Sequence, residues 1–332
     1  MAKNNLNQQK IVTIGGGAGS FMILSGLKKY PIDLSAIVSM SDDGGSTGVL
    51  RDELGVLPPG DVRQCLVALS KSSQILRKLF NYRYSQGGFK GHTFGNLFLS
   101  TLEKVTGGLD QSIREAGRIL RIKGQVFPVT LKNVRLVALL KNGKKICGEN
   151  RIYCDTANLF NLKRLALEPS ASINPSLKPI ISQAEKIIIN PGDLYSSTIP
   201  NLLVKGLPEA LVKTKAKVIC VSNLMTKPGH TDGYTLVDYI RVIEQYLGRG
   251  VIDYVIYNKE LPSRELLKKY SRQGEAVVKL GDFKKKFSKI KLLSYSLLSH
   301  RFSQTKKNDV LGNFRSLIRH DSDKLAEVIY NL

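Results

Sequence analysis

The sequence predicts an α/β protein, a mostly parallel sheet carrying a small inserted antiparallel β subdomain. Three observations lead there. Apolar β-type runs end in polar or glycine-bearing exits at KIVTIGGG, DLSAIVSM and within 185–193, 216–223 and 251–258. Amphipathic stretches separate those runs, the alternation that builds βαβ units and parallel sheets. Between Gln125 and Leu167 the pattern changes to short β-like pieces around Asn142-Gly143, a hairpin signal.

Taken in order, the first strand stops at three glycines. Ser20 to Tyr30 then places Phe21, Leu24 and Leu27 at helical spacing and ends at Pro31. Asp33 to Met40 reads as the second strand, halted by Ser41-Asp42-Asp43-Gly44-Gly45. Residues 61–83 and 95–121 look helical, with Leu, Ile and Phe three and four apart. The β-rich insertion spans about 124–170. Further helices are expected at 201–214 and 232–247, a loop from Ser294 to Asn313, and a closing helix from Ser322 to Tyr330. Residues 1–10 read as a flexible N-terminus. Residues 11–332 read as a single domain whose basic C-terminal part is about 259–332, with no internal repeat.

Composition excludes several classes. With 42% hydrophobic residues, 29 Gly and 12 Pro, the 332-residue chain is built to fold. No apolar run is long enough to span a membrane, and no secretory h-region opens the chain. Cys65, Cys147, Cys154 and Cys220 lack paired spacing, which suits reduced thiols; the expected location is cytoplasmic. Fifty basic against 27 acidic residues leave a net charge of +23. After residue 258 there are 17 Lys/Arg against 8 Asp/Glu, with one dense run, Lys284-Lys285-Lys286. No nucleic-acid recognition motif accompanies it, so a solvated basic face is expected rather than a nucleic-acid interface.

The chemistry sits at the strand exits. Gly15, Gly16, Gly17, Gly19 and Ser20 join strand to helix, where bare backbone N–H groups and a helix terminus suit a phosphate. A tight turn without ligand is the plainer alternative, and no Lys-Ser/Thr pair follows to make a Walker loop. Asp42, Asp43, Gly44, Gly45, Ser46 and Thr47 end the second strand and suit magnesium beside phosphate, or a solvated turn. Arg51 and Arg63 suit a bidentate phosphate clamp, or pairing with Asp52 and Asp61. Asp61, after Pro58-Pro59-Gly60, reads as a helix cap. His92 and Asn96 lie in another glycine-bounded turn, where a structural histidine is the commoner case. Asn190, Gly192, Tyr195 and Ser196 end one later strand; Asn223, Met225, Thr226 and Asp232 follow the next. In a parallel sheet such exits share one rim, which is the case for a small-molecule nucleotide site.

These blocks resemble one family. IGGGAGS, SDDGGSTGVLRDELGVLPPGDVRQCLVALS, GHTFGNL, NPGDLYSSTIPNLLV, VSNLMTKPGHTDGYT and the terminal IRHD are similar to the gluconeogenesis factor (YvcK-type) proteins and the related 2-phospho-L-lactate transferases (CofD-like). The PPGDVR and TDGYT blocks look more like the first branch. The resemblance implies a Rossmann-like, doubly wound core. In the gluconeogenesis-factor branch it implies binding of a UDP-sugar, such as UDP-GlcNAc, and regulation of cell-wall precursor supply and cell shape through a protein partner. In the transferase branch it implies magnesium-assisted phosphoryl transfer to a deazaflavin, with Asp42 and Asp43 matching the metal-associated acidic loop. Tyr270 and Arg319 match the UDP-sugar contacts. Ala18 stands where relatives usually carry Thr, so this turn has one hydroxyl fewer. Three functions therefore stay open: a non-enzymatic UDP-sugar-binding regulator, a phospho-lactyl-type transferase, and a nucleic-acid binder. Homo-oligomerisation stays open too.

Overall fold

A computed structural model describes residues 8–154, 159–300 and 317–332. Chain order begins β1 (Lys10–Gly15), α1 (Gly17–Leu27), β2 (Asp33–Val38), α2 (Gly45–Leu54), α3 (Pro59–Leu69), α4 (Gln74–Asn81), α5 (Phe94–Thr106), α6 (Leu109–Ile119) and β3 (Gln125–Pro128). An antiparallel sheet follows from β4 (Arg135–Leu140), β5 (Lys145–Cys147) and β6 (Leu162–Glu168), with α7 (Glu149–Cys154) between the last two. Then come α8 (Leu177–Gln183), β7 (Lys186–Ile189), a π-helical turn at Leu194–Thr198, α9 (Ile199–Leu202), α10 (Leu207–Lys213) and β8 (Lys217–Val221). The chain continues through α11 (Leu236–Leu247), β9 (Tyr254–Asn258), α12 (Arg264–Ser271), α13 (Phe283–Lys286), β10 (Lys291–Tyr295) and α14 (Ser322–Asn331).

Seven parallel strands form the main sheet in the order β10-β9-β8-β7-β1-β2-β3. Growth from β1 runs one way to β3 and the other way from β7 to β10. Crossovers in opposite directions, which are right-handed as a rule in parallel sheets, put helices on both faces of a doubly wound, Rossmann-like sheet. β1, β2 and β7 are buried almost end to end, as strands covered on both faces must be. Among the described residues no helix is long and apolar enough to cross a membrane.

Several boundaries differ from the expected ones, each for a local reason. The 61–83 helix is two: Ser70 and Ser72 turn their hydroxyls to the Leu120 carbonyl (2.9 and 2.7 Å) and end α3. The 95–121 helix is also two, because Gly107 takes a left-handed φ of 77° and closes α5. Helix α2, unassigned from sequence, starts among glycines and contains few strong helix formers. β3 belongs to the parallel sheet beside β2, so the insertion proper begins after it. Within the insertion Asn142-Gly143 makes the expected β4–β5 hairpin. β10 occupies the start of the presumed loop; residues 301–313 of that loop lie outside the described residues, as do residues 1–7 of the expected flexible N-terminus. Lys10 already belongs to β1.

Basic residues serve the fold at some positions. Lys186 Nζ donates to the Ile329 and Tyr330 carbonyls (both 2.8 Å), capping the end of α14 with positive charge. Its burial pushes the ammonium pKa down to about 8. α14 also rests on α1, and the approach needs Gly26. A Cβ there would lie 2.0 Å from the Ser322 oxygen and 2.7 Å from Ala326 Cβ. Gly26→Ala should therefore destabilise the protein by about 1–3 kcal/mol through overpacking. Urea unfolding checks this, and an unchanged midpoint would mean that α14 docks by another route.

Candidate functional site

Strand order reverses between β1 and β7, so the crevice of this fold opens beyond their carboxyl ends. The loops after those strands touch. A Cβ on Gly19 would lie 1.7 Å from the Pro191 oxygen, and one on Gly15 would lie 2.9 Å from Asn190 Cβ. Close approach of the backbones, with no left-handed φ at either position, is what demands glycine here. Asn190 Nδ2 locks the junction by donating to Ser20 Oγ (2.8 Å). Gly16 and Gly17 face the Asp61 carboxylate; a Cβ on Gly17 would lie 2.5 Å from Asp61 Oδ1. Asp61 is thus no helix cap, since α3 already begins at Pro59. Its carboxylate sits at the start of α1, where a phosphate was expected.

Acidic groups gather around it. Burial, and then the Asp42 charge, push the Asp61 carboxyl up to about 7, even though the Gly17 N–H favours its ionised form. Burial raises Asp42 as well, with the neighbouring Asp43 charge adding to it. Glu149, in the first turn of α7, is pushed to about 8 by burial and by the charges of Asp42, Asp61 and Asp193. Asp193 goes the other way. Burial raises it, but the His230 ring (Nδ1 3.2 Å away), Lys227 and the Ser196 N–H together hold it below the usual carboxylate range. Lys227 Nζ lies 3.9 Å from Asp193 Oδ2 and over the Tyr153 ring of α7. Burial lowers the Lys227 ammonium to about 8.

The insertion roofs this crevice, because α7 packs on the turn Leu194–Thr198. It is tethered by the groups expected to bind ligand. Asp43 accepts from Asn150 N–H (2.8 Å) and pairs with Arg135 Nη1 (3.3 Å), while Asp52 takes the other end of the same guanidinium. Arg51 donates to the carbonyls of Asp42 and Val134 (both 2.7 Å) and to Asn133 Oδ1 (2.5 Å). Arg63 spans Asn96 and Asn81 (2.9 and 2.5 Å). Neither arginine pairs directly with Asp52 or Asp61: both are buried and brace neighbouring carbonyls and side-chain amides. Asp42 and Asp43 likewise part ways. Asp42 Oδ1 accepts from Gly44 N–H (3.0 Å) while Asp43 faces the insertion, so the pair does not fit a magnesium ion. Among the described residues no group of three or more His, Cys, Asp or Glu is gathered as a metal site.

The remaining expected residues fall in two places. Ser46 Oγ meets His92 Nδ1 (3.1 Å) and Asn96 Nδ2 (3.2 Å) at the start of α2, close to Gly45 and Thr47. Asn223 Nδ2 holds the Gly192 oxygen (2.6 Å), and the Tyr195 and Tyr234 hydroxyls meet at 2.8 Å. Asp232 closes its own turn through Gly229 N–H (2.6 Å), so it is structural there. Thr226 pairs with the Ala276 backbone. Met225 joins a satellite cluster with Leu224, Tyr270, Leu298 and Ile318. In that cluster Tyr270 Oη accepts from Leu317 N–H (2.6 Å), which brings Tyr270 and the Arg319 segment together. Asp61, Glu149, Tyr153, Asp193, Lys227 and His230 were absent from the expected set. Asp193, Lys227 and His230 lie inside the conspicuous NPGD and LMTKPGH blocks, whereas Glu149 and Tyr153 carry no motif at all.

Buried polar atoms near the crevice that lack a hydrogen-bond partner include Asn190 Oδ1 and Ser222 Oγ at the ends of β7 and β8, Ser196 Oγ in the turn after β7, and His230 Nε2. Such groups are costly unless something else satisfies them.

The comparisons with known proteins agree with this architecture. Residues 11–300 match the family described as 2-phospho-L-lactate transferase CofD. The chain is 40% identical to a putative gluconeogenesis factor of Thermotoga maritima, across 96% of this chain and 98% of that protein. It is 37% identical to the gluconeogenesis factor of Bacillus subtilis, across 97% and 98%. A crystal structure of a Bacillus halodurans protein superposes with a TM-score of 0.89 at 33% identity, covering 98% of this chain and 100% of that one.

The acidic cluster makes stability depend on pH with a definite sign. Asp61 and Glu149 titrate higher in the folded protein than the usual carboxylate near 4, so the folded state holds extra protons between roughly pH 4 and 8. Stability contributed by these groups is full below that window and is lost as pH rises through it. Asp61→Asn keeps an oxygen for the Gly17 N–H and removes the charge. It should be more stable than wild type at pH 8, by on the order of 2 kcal/mol, with no gain at pH 4. Urea midpoints at the two pH values decide; an equal effect at both would show that Asp61 does not carry the strained proton.

Proposed function

The chain belongs to the CofD family and to its gluconeogenesis-factor group, and on that premise we propose that it is a cytoplasmic regulator that binds a UDP-sugar at the β1–β7 crevice. The observation that carries this reading is the unsatisfied polar lining of that crevice. Asn190 Oδ1, Ser196 Oγ, Ser222 Oγ and His230 Nε2 are buried there without hydrogen-bond partners. A nucleotide sugar brings the complementary donors and acceptors. Lys227 supplies the positive charge a diphosphate needs at this rim, being held among carboxylates that a bound phosphate would displace it from. The satellite cluster that joins Tyr270 to the Arg319 segment lies on the side of Leu224 and Met225, which follow β8, and supplies the far end of the site. Regulation of cell-wall precursor supply and cell shape follows from the resemblance, through a protein partner that reads the liganded state.

The purified protein should bind UDP-N-acetylglucosamine or a close UDP-sugar at micromolar strength, about −8 kcal/mol. Calorimetry with no heat, and no thermal shift with any UDP-sugar, would remove the proposal. Arg319→Ala should weaken binding by about 1.5–3 kcal/mol, the worth of a charge-assisted hydrogen bond, with circular dichroism unchanged. An unaltered dissociation constant would leave the IRHD segment a packing role only.

One observation favours a second reading, a phospho-lactyl-type transferase. Asp42, Asp61 and Glu149 are acids with raised proton affinity crowded into a crevice, a pattern common at catalytic sites. The diversion of Asp43 to the insertion weighs against it. We expect no turnover of a phospho-lactyl nucleotide with a deazaflavin acceptor, with or without magnesium. Product formed by wild type and lost in Asp42→Asn would reverse that preference.

A further inference from the structure

At the opposite end of the sheet, the amino ends of β8, β9 and β10 frame a second concavity of about 480 Å³. Its lining carries Lys215, Lys217, Arg249, Lys289 and Lys291, all exposed, against one acid, Asp253. That acid is already committed, since its Oδ2 accepts from Val218 N–H (2.8 Å). Among the described residues none of the five cations forms an ion pair with a carboxylate side chain. The Lys217 ammonium donates to the Leu332 oxygen, and Lys291 lies 5.5 Å from the Tyr254 ring centroid. From these observations we infer that this cleft is an anion site for a condensed phosphate chain, either inorganic or borne on a nucleoside.

Charge, shape and surroundings each narrow the ligand. Five like charges around one small concavity repel each other and concentrate anions, most strongly compact ones of high charge. A volume near 480 Å³ falls in the range of small-molecule sites rather than of a macromolecular groove. The strand backbone is occupied elsewhere: Lys217 N–H donates to the Glu185 oxygen and Lys291 N–H to the Asp253 oxygen. Recognition therefore falls to side-chain cations, with the Arg249 fork suited to a bidentate phosphate contact. The Glu244 carboxylate borders the cleft by accepting from Gly250 N–H (3.1 Å). A long nucleic-acid strand running past Gly250 would meet that carboxylate, whereas a short phosphate chain would not. Tyr254 supplies one ring face on which a base can stack.

The test is calorimetry at low ionic strength with tripolyphosphate, a nucleoside triphosphate and a single-stranded oligonucleotide, on wild type and the double variant Arg249→Glu/Lys289→Glu. Both positions are exposed, and thermal unfolding verifies that the variant folds. Tripolyphosphate should bind wild type, more weakly as salt rises, and bind the variant at least about tenfold more weakly, the loss expected when charge-assisted contacts are removed. Equal affinity for the two phosphate probes assigns the site to the chain itself. Tighter nucleotide binding that Tyr254→Leu abolishes assigns it to a nucleoside polyphosphate. The inference is overturned if tripolyphosphate does not bind, if the double variant binds it as wild type does, or if the oligonucleotide binds more tightly through the same two residues. UDP-sugar binding at the far end of the sheet is untouched by any of these results.

Discussion

Everything at the crevice depends on how closely the backbone after β1 approaches the backbone after β7. Gly19 lies against the Pro191 carbonyl and Gly15 against Asn190, at separations that leave no room for a single methyl group. That contact sets the start of α1 beside the Asn190–Thr198 loop. It also turns the Gly17 N–H at the start of α1 toward the crevice floor, where the Asp61 carboxylate accepts from it. An internal carboxylate at a helix terminus is a favourable arrangement in isolation. Here it is held among Asp42 and Glu149, so the favourable helix contact and the unfavourable crowding oppose each other. Burial and the Asp42 charge push that carboxyl up to about 7.

The insertion gains its meaning from the same geometry. Its helix α7 brings Glu149 and Tyr153 over the crevice and, through the Asn150 N–H, grips Asp43, which Arg135 of β4 also holds. Arg51 supports the arrangement from below by holding the Asp42 and Val134 carbonyls together. Conspicuous charged residues are therefore spent on positioning a roof, and less conspicuous ones face the space beneath it. A buried arginine that satisfies several carbonyls is a strut whose removal leaves acceptors unpaired, so its cost is structural before it is functional.

The two ends of the sheet have opposite electrostatic character. The carboxyl end gathers acids and one lowered lysine beneath the insertion. The amino end of β8–β10 presents exposed cations in a cleft, none of them in an ion pair with a carboxylate side chain among the described residues. Since the chain carries +23 overall, crowding acids at one end leaves the surplus concentrated elsewhere, and an anion approaching in solution is steered by that asymmetry. Separation by the length of the strands lets the two surfaces act on different ligands.

What the sequence determined by itself is the alternation of strands and helices, the Asn142-Gly143 hairpin and the glycine-bearing exits. Each is a local property of periodicity or turn chemistry. The breaks at Ser70–Ser73 and Gly107-Gly108 were visible as residues but not as helix ends, because apolar spacing continues across them. Asn190, Gly192 and Asn223 fall at the crevice rim because they follow β7 and β8 within a few residues, and Tyr195 falls in the turn just beyond. Only the tertiary structure decided the direction of each charged side chain. Arg51, Arg63 and Asp43 read as ligand groups yet serve as struts, and Asp61 reads as a cap yet lies on the crevice floor. Glu149 enters from a separate subdomain more than a hundred residues beyond the first glycine loop. A charge's role depends on which partner reaches it first across the fold, and no pattern along the chain encodes that distance.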